Sequence, residues 1–223
     1  MDIEKIFKAN MKREQLEKID KYNVLNTFAQ KGQILFTGSS LMEQFPINEL
    51  LMNKGMEQIV YNRGVGGFTT DDMLEHMDTQ IFAIEPSKIF INIGTNDISN
   101  PTVSFETALS HMLHNYTEIL TQIRTRLPQA DVYLMAYYPV NETDKVPNDE
   151  WGKTLFVNRN NHNIPLANAE VKKLAETFGF HYIDVNAGLT DERGMLKKEY
   201  TVEGVHMYAN AYRIILENMK PYL

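Results

Sequence analysis

Residues 34–45 read ILFTGSSLMEQF, and this one stretch decides the fold. An apolar, β-branched run gives way to the turn residues Gly38, Ser39 and Ser40, and a second apolar segment follows. That is the pattern of a strand, a tight turn and the start of a helix. With the first run, residues 33–37, four more of the same kind lie along the chain, at 58–62, 88–93, 131–136 and 181–184. Each is short, nearly continuous in apolarity and followed by turn residues, which predicts strands buried on both faces.

Helical patterns alternate with these runs. Phe105, Leu109, Met112, Tyr116, Ile119, Ile123 and Leu127 trace one face of a long helix that Pro128 ends. Ala167, Val171, Leu174 and Phe178 trace another between Pro165 and Gly179. Tyr208, Tyr212, Ile215, Leu216 and Met219 trace the last, which Pro221 closes. Strand and helix in alternation predict an α/β fold with a parallel sheet covered on both faces, because parallel neighbours need crossover connections. Ligands of such sheets bind at the carboxyl ends of the strands.

The 223 residues fit one domain over 1–223. Two segments stand outside the alternation. In the arm of residues 1–30, Ile3, Ile6, Phe7, Leu16, Ile19, Tyr22 and Leu25 recur at helical spacing, predicting a helix that buries one apolar face. Periodicity leaves open whether that face packs on its own domain or on a second copy of the chain in a homo-oligomer. Residues 139–161 are irregular and polar and hold the only tryptophan, Trp151; an insert of this length is expected to be a lid or a pocket wall near the site rather than core.

Composition narrows the function. An excess of 29 acidic over 22 basic residues, a net charge of -7 spread along the chain, argues against nucleic-acid and anionic-membrane partners, which need basic surfaces. Without cysteine, disulfides, thiolate metal sites and cysteine nucleophiles are all excluded. No secretory signal and no membrane span can be read, so a cytoplasmic location is expected.

Four segments carry chemistry. The turn at Ser39 and Ser40 can expose a nucleophilic hydroxyl beside the amides of a helix start, or either serine can simply cap that helix. YNRGVGGFTTDDM, residues 61–73, brings Gly64, Gly66 and Gly67 after the second strand, where the backbone can approach a ligand closely or merely turn. It lacks the spacing and lysine of a P-loop. IFINIGTNDIS, residues 89–99, places Asn96 and Asp97 at the carboxyl edge of the third strand. Asn96 can donate to an oxyanion or form an Asx turn, and Asp97 is assigned a structural turn role. YTVEGVHMYANAY, residues 200–212, sets Glu203 three residues before His206, ahead of the last helix. A carboxylate behind an imidazole fixes its tautomer for base catalysis, whereas helix capping by Glu203 and a solvent-facing His206 are the plain alternatives. His76, His111, His114, His162 and His181 have no such neighbour in sequence. His111 and His114 lie three apart on the long helix without an accompanying carboxylate or cysteine pattern, and no metal site is predicted.

In this order, the four segments resemble the sequence blocks of the SGNH hydrolase superfamily, the GDSL-like lipases and acylhydrolases, over residues 34–212. The resemblance implies a flavodoxin-like three-layer α/β/α sandwich with a five-stranded parallel sheet. It implies Ser40 as nucleophile, His206 as base, and an oxyanion hole built from the Ser40 and Gly67 amides and the Asn96 side chain. Two positions depart from the family pattern: Ser39 stands where aspartate usually precedes the serine, and Glu203 where aspartate usually precedes the histidine. Glu203 is expected to orient His206, its extra methylene taken up by backbone or rotamer.

The expected activity is that of a serine esterase acting through an acyl-enzyme on a small-molecule ester, with neither metal nor organic cofactor. A short acyl group, acetyl first, on a polar or carbohydrate alcohol is the expected substrate, since no long apolar segment suggests a lipid lid. Trp151, Tyr137 and Tyr138 are aromatic faces for a sugar ring, or else wall and core. A lysophospholipase or thioesterase, a non-catalytic binding protein on the same scaffold, and a nucleotide-binding domain using residues 64–67 are the rival readings.

Overall fold

The computed structural model describes residues 3–223. In chain order the elements are α1 (Ile3–Asn26), β1 (Ile34–Gly38), α2 (Ser40–Glu43), α3 (Ile47–Asn53), β2 (Val60–Asn62), α4 (Thr70–Glu75), α5 (Met77–Gln80), β3 (Lys88–Asn92), α6 (Thr95–Ile98), α7 (Phe105–Arg126), β4 (Asp131–Met135), α8 (Glu150–Leu155), α9 (Asn163–Phe178), β5 (His181–Ile183) and α10 (Ala209–Met219). The five predicted strands pair in parallel as one sheet, in the order β2-β1-β3-β4-β5. The order reverses between β1 and β3, so the loops after those two strands diverge and leave a crevice at their carboxyl ends.

The strands have two buried faces because side chains alternate along them. Leu35, Ile89, Ile91 and Leu134 point into a core shared with α7 and α9. Phe36, Phe90 and Met135 point into a second core shared with α2, α3 and α10. Phe36 packs edge-on against Phe45 with ring centroids 5.5 Å apart. The long helix α7 starts at Ser104, whose hydroxyl accepts from the Thr107 amide at 3.2 Å, and ends on Arg126 just before Leu127 and Pro128.

Helix α1 forms as predicted but docks differently. Its apolar stripe is largely outside: Phe7 is 68% exposed, and Leu16 and Leu25 are exposed as well. Residues 12, 15, 18, 19, 22 and 26 form the inward face; Ile19 and Tyr22 are the members of the predicted stripe that it includes, and only Ile19 is a buried aliphatic side chain. The helix is held by directed polar contacts. Asn26 donates to the Thr79 carbonyl at 2.8 Å and accepts from Arg63 at 2.8 Å, while Lys12 pairs with Asp72 at 2.9 Å.

The 139–161 insert also departs from expectation, because part of it is core. Val140, Asn141, Asn158 and Arg159 are buried. Asn158 donates to the carbonyls of Asn100 and Val103 at 2.7 and 3.0 Å, tying the insert to the loop after β3. Tyr137 and Tyr138 are each 1% exposed, so they are core and present no face to a sugar, whereas Trp151 is exposed. Among the described residues no helix is long and apolar enough to cross a membrane.

Candidate active site

Ser40 opens α2 directly after β1, at the sheet's reversal point. The turn depends on Gly38: a Cβ there would lie 2.0 Å from the Asn92 carbonyl oxygen of β3. Asn62 donates to the Met42 carbonyl at 2.6 Å and the Tyr212 hydroxyl to the Leu41 carbonyl at 2.9 Å, fixing the short helix that carries the serine. Ser39 occupies the N-cap position without making a side-chain cap bond, and its buried hydroxyl has no partner among the described residues.

His206 arrives from the other end of the chain, on a tight loop before α10. Thr201 and Met207 bridge as antiparallel neighbours, and the Thr201 hydroxyl donates to the His206 carbonyl at 3.0 Å and accepts from the Gly204 amide at 2.7 Å. Gly204 in turn accepts from the Asn141 amide at 2.8 Å, so the insert braces this loop. The ring lies between two partners. Nε2 is 2.9 Å from the Ser40 hydroxyl oxygen, and Nδ1 is 2.6 Å from Glu203 Oε1. The same carboxylate oxygen accepts the His206 backbone amide at 3.0 Å.

Burial pushes the Glu203 pKa up, yet the hydrogen bonds from the His206 ring and amide outweigh it, with help from the charge of Arg159, and the group ends below the ordinary glutamate value. Arg159 is the larger surprise. Burial lowers its pKa to about 10 despite the opposing charge of Glu203, and its Nε has no hydrogen-bond partner among the described residues. Nothing in the polar 139–161 sequence singles it out, since its relation to Glu203 exists only in three dimensions.

The glycine segment and the loop after β3 close the other side. Val65 to Phe68 form a turn in which the Phe68 amide donates to the Val65 carbonyl at 3.2 Å and Gly67 takes φ +76°. Asn96 donates to the Phe68 carbonyl at 2.9 Å through one of its two amide hydrogens, leaving the second for another acceptor. The backbone amides of Ser40 and Gly67 have no acceptor among the described residues. Glu43, three residues beyond Ser40, accepts from the Gly66 amide and pairs with Lys18 of α1. Sequence reading passed over it, although an acid one helical turn from a candidate nucleophile was a usable signal.

Asp97 has a structural part, as assigned, but a long-range one. Its carboxylate accepts the Thr70 amide at 3.1 Å with both oxygens, together with the Thr70 hydroxyl, and so caps α4. Desolvation is the leading influence on it, and the pKa rises to about 6. His111 bonds Asp71 at 2.8 Å. Beside Asn96 a cleft of about 370 Å³ is lined by Asp71, Asn100, Thr107 and His111, with Val103 and Ala108 as its apolar part.

This architecture has known relatives. Residues 46–214 match the GDSL-like Lipase/Acylhydrolase family. The chain belongs to that family. The family is built on the SGNH fold, which the five-stranded parallel sheet of this chain shares. Ser40 and α1 precede the matched residues. Among solved structures, a protein described as a platelet activating factor from Streptococcus pneumonia is 30% identical, with a TM-score of 0.84 over 98% of this chain and 96% of that one. A variant of an acetyl-xylooligosaccharide esterase from Geobacillus Stearmophilus has a TM-score of 0.62 at 15% identity, covering 86% of this chain and 94% of that one, a likeness of fold. The N-acylneuraminate cytidylyltransferase of Escherichia coli O18:K1:H7 (strain RS218 / NMEC) is 24% identical over 227 residues, covering 98% of this chain. The chain spans about half the length of that curated relative, 48%.

Proposed function

We propose that this chain is a serine carboxylic ester hydrolase that removes short acyl groups, acetyl first, from a hydroxyl-rich alcohol such as a sugar. One observation carries the proposal: the Ser40 hydroxyl lies 2.9 Å from His206 Nε2, with Glu203 2.6 Å from Nδ1 on the far side of the ring. In the reaction, Nε2 accepts the hydroxyl proton as the Ser40 oxygen attacks the ester carbonyl carbon. The negative oxygen of the tetrahedral intermediate takes hydrogen bonds from the Ser40 and Gly67 amides and from the free hydrogen of Asn96. Collapse expels the alcohol, to which the imidazolium returns the proton. Water, deprotonated by the same ring, then releases the acid and restores the hydroxyl. Glu203 stabilises the imidazolium and holds the tautomer with its proton on Nδ1.

The preference for a polar alcohol is supported by the cleft beside Asn96, whose carboxylate, amide, hydroxyl and imidazole groups suit hydroxyl donors and acceptors. Likeness to an enzyme of acetylated sugar oligomers points the same way. A second reading, an ester of a lipid alcohol, is favoured by the likeness to a protein described as a platelet activating factor.

The test is hydrolysis of a short aryl ester before and after Ser40→Ala, with labelling of Ser40 by an active-site phosphonate. Removal of the nucleophile should cost several orders of magnitude in kcat. Retention of activity within a fewfold, or a phosphonate that leaves Ser40 untouched, refutes it. Acetylated sugars assayed against lipid esters of increasing chain length separate the two substrate readings.

A further inference from the structure

Helix α1 precedes the residues that match the family, yet Gln15, Lys18 and Tyr22 of its inward face are spent on the glycine turn. Gln15, 6% exposed, donates through Nε2 to the Gly66 carbonyl at 2.8 Å. Tyr22 donates to the Gly64 carbonyl at 2.8 Å, and Lys18 pairs with the Glu43 carboxylate that accepts the Gly66 amide. Peptides on the N-terminal side of the turn are therefore anchored.

The peptide between Gly66 and Gly67 is the one whose orientation matters. With Phe68 bonded back to Val65, Gly67 at φ +76° and Gly66 outside the left-handed region, residues 65–68 make a type II turn. Types I and II differ mainly by a half-rotation of this central peptide, and glycine at the third position tolerates either. A trans peptide points its C=O and N–H in opposite directions. Holding the Gly66 carbonyl from the α1 side sends the Gly67 N–H to the other side. Gly66 there approaches Ser40: a Cβ built on it would lie 3.8 Å from the serine Cβ.

We infer that Gln15 is a positioning residue for the reaction: its side-chain amide holds the Gly66–Gly67 peptide in the orientation that offers the Gly67 N–H to the oxyanion formed at Ser40. The inference rests on Ser40 being the nucleophile, as proposed above. Without the Gln15 donor the Gly66 carbonyl loses its partner, and the peptide is free to turn over and carry the Gly67 N–H out of the site.

Gln15→Met keeps the length of the side chain and removes the donor. The expected result is a kcat lower by about 10- to 100-fold at a KM within twofold, one oxyanion donor of three being lost. An alkyl boronic acid, which adds to the serine as a tetrahedral anion, should weaken by a similar factor, with thermal unfolding within a few degrees of wild type. A kcat within threefold of wild type, or a loss carried by KM with boronate affinity unchanged, overturns the inference. Should Gln15→Met not fold, Gln15→Glu, which has no donor when ionised, is judged by the same criteria. Ser40→Ala runs alongside. If it retains turnover, the proposed function itself fails. If it abolishes turnover while the folded Gln15 variant keeps wild-type kcat, only the role of Gln15 falls.

Discussion

Glu203 Oε1 sits 2.6 Å from His206 Nδ1 and 3.0 Å from the backbone amide of the same residue. One carboxylate oxygen thus holds both the ring and the loop that carries it. Glu203→Ala removes both contacts and should lower kcat on an aryl ester by about 10⁴-fold, the loss seen when a triad acid is removed. Glu203→Asp restores the charge one methylene shorter, and should fall between the two. Equal activity of Ala and wild type would show that another group orients the ring.

Asn96 offers one hydrogen to the Phe68 carbonyl and keeps one for the site. Asn96→Ala should cost about 3 to 4 kcal/mol of transition-state stabilisation, a 10²- to 10³-fold loss in kcat, with KM little changed. Steady-state kinetics separates this from a binding defect, in which KM would carry the loss.

Asp97 makes stability depend on pH in a definite direction. Its carboxyl is raised by burial to about 6 from an ordinary value of 3.8, so between those values the folded chain binds more protons than the unfolded one. The stability it contributes is therefore complete below the unfolded value and is lost as pH rises through about 6, on the order of 3 kcal/mol in all. Asp97→Asn should remove this component. Urea unfolding of both proteins at several pH values from 4 to 7 should show the variant gaining relative to wild type as pH rises, and parallel curves would contradict the burial of a charge there.

Tyr212 reaches from α10 to the Leu41 carbonyl, next in sequence to Ser40. Tyr212→Phe leaves that buried carbonyl without its donor and should destabilise the fold by about 1 to 2 kcal/mol. Denaturant titration measures the change, and an unaltered midpoint would mean that water or a shift of α2 replaces the bond.

Sheet, helices and their alternation were legible in the sequence, because a strand or helix buried in a sandwich repeats its apolar side chains at a local period that any window of the chain displays. Strand ends moved by only a residue or two: residues 58–62 shortened to Val60–Asn62, and 131–136 to Asp131–Met135. The segments that hold Ser40, Gly67, Asn96, Glu203 and His206 stood out because each follows a strand or precedes a helix where a parallel sheet gathers its loops, and the resemblance to the SGNH blocks picked those residues out within them. Tertiary structure alone decided the rest. Ser40 and His206, 166 residues apart, meet at 2.9 Å only because the sheet order brings their loops together. The polar inward face of α1, the buried guanidinium of Arg159 and the lifted carboxyl of Asp97 arise from partners distant in sequence. Hydrogen bonding and desolvation depend on what surrounds a group in space, and no periodicity along the chain encodes that.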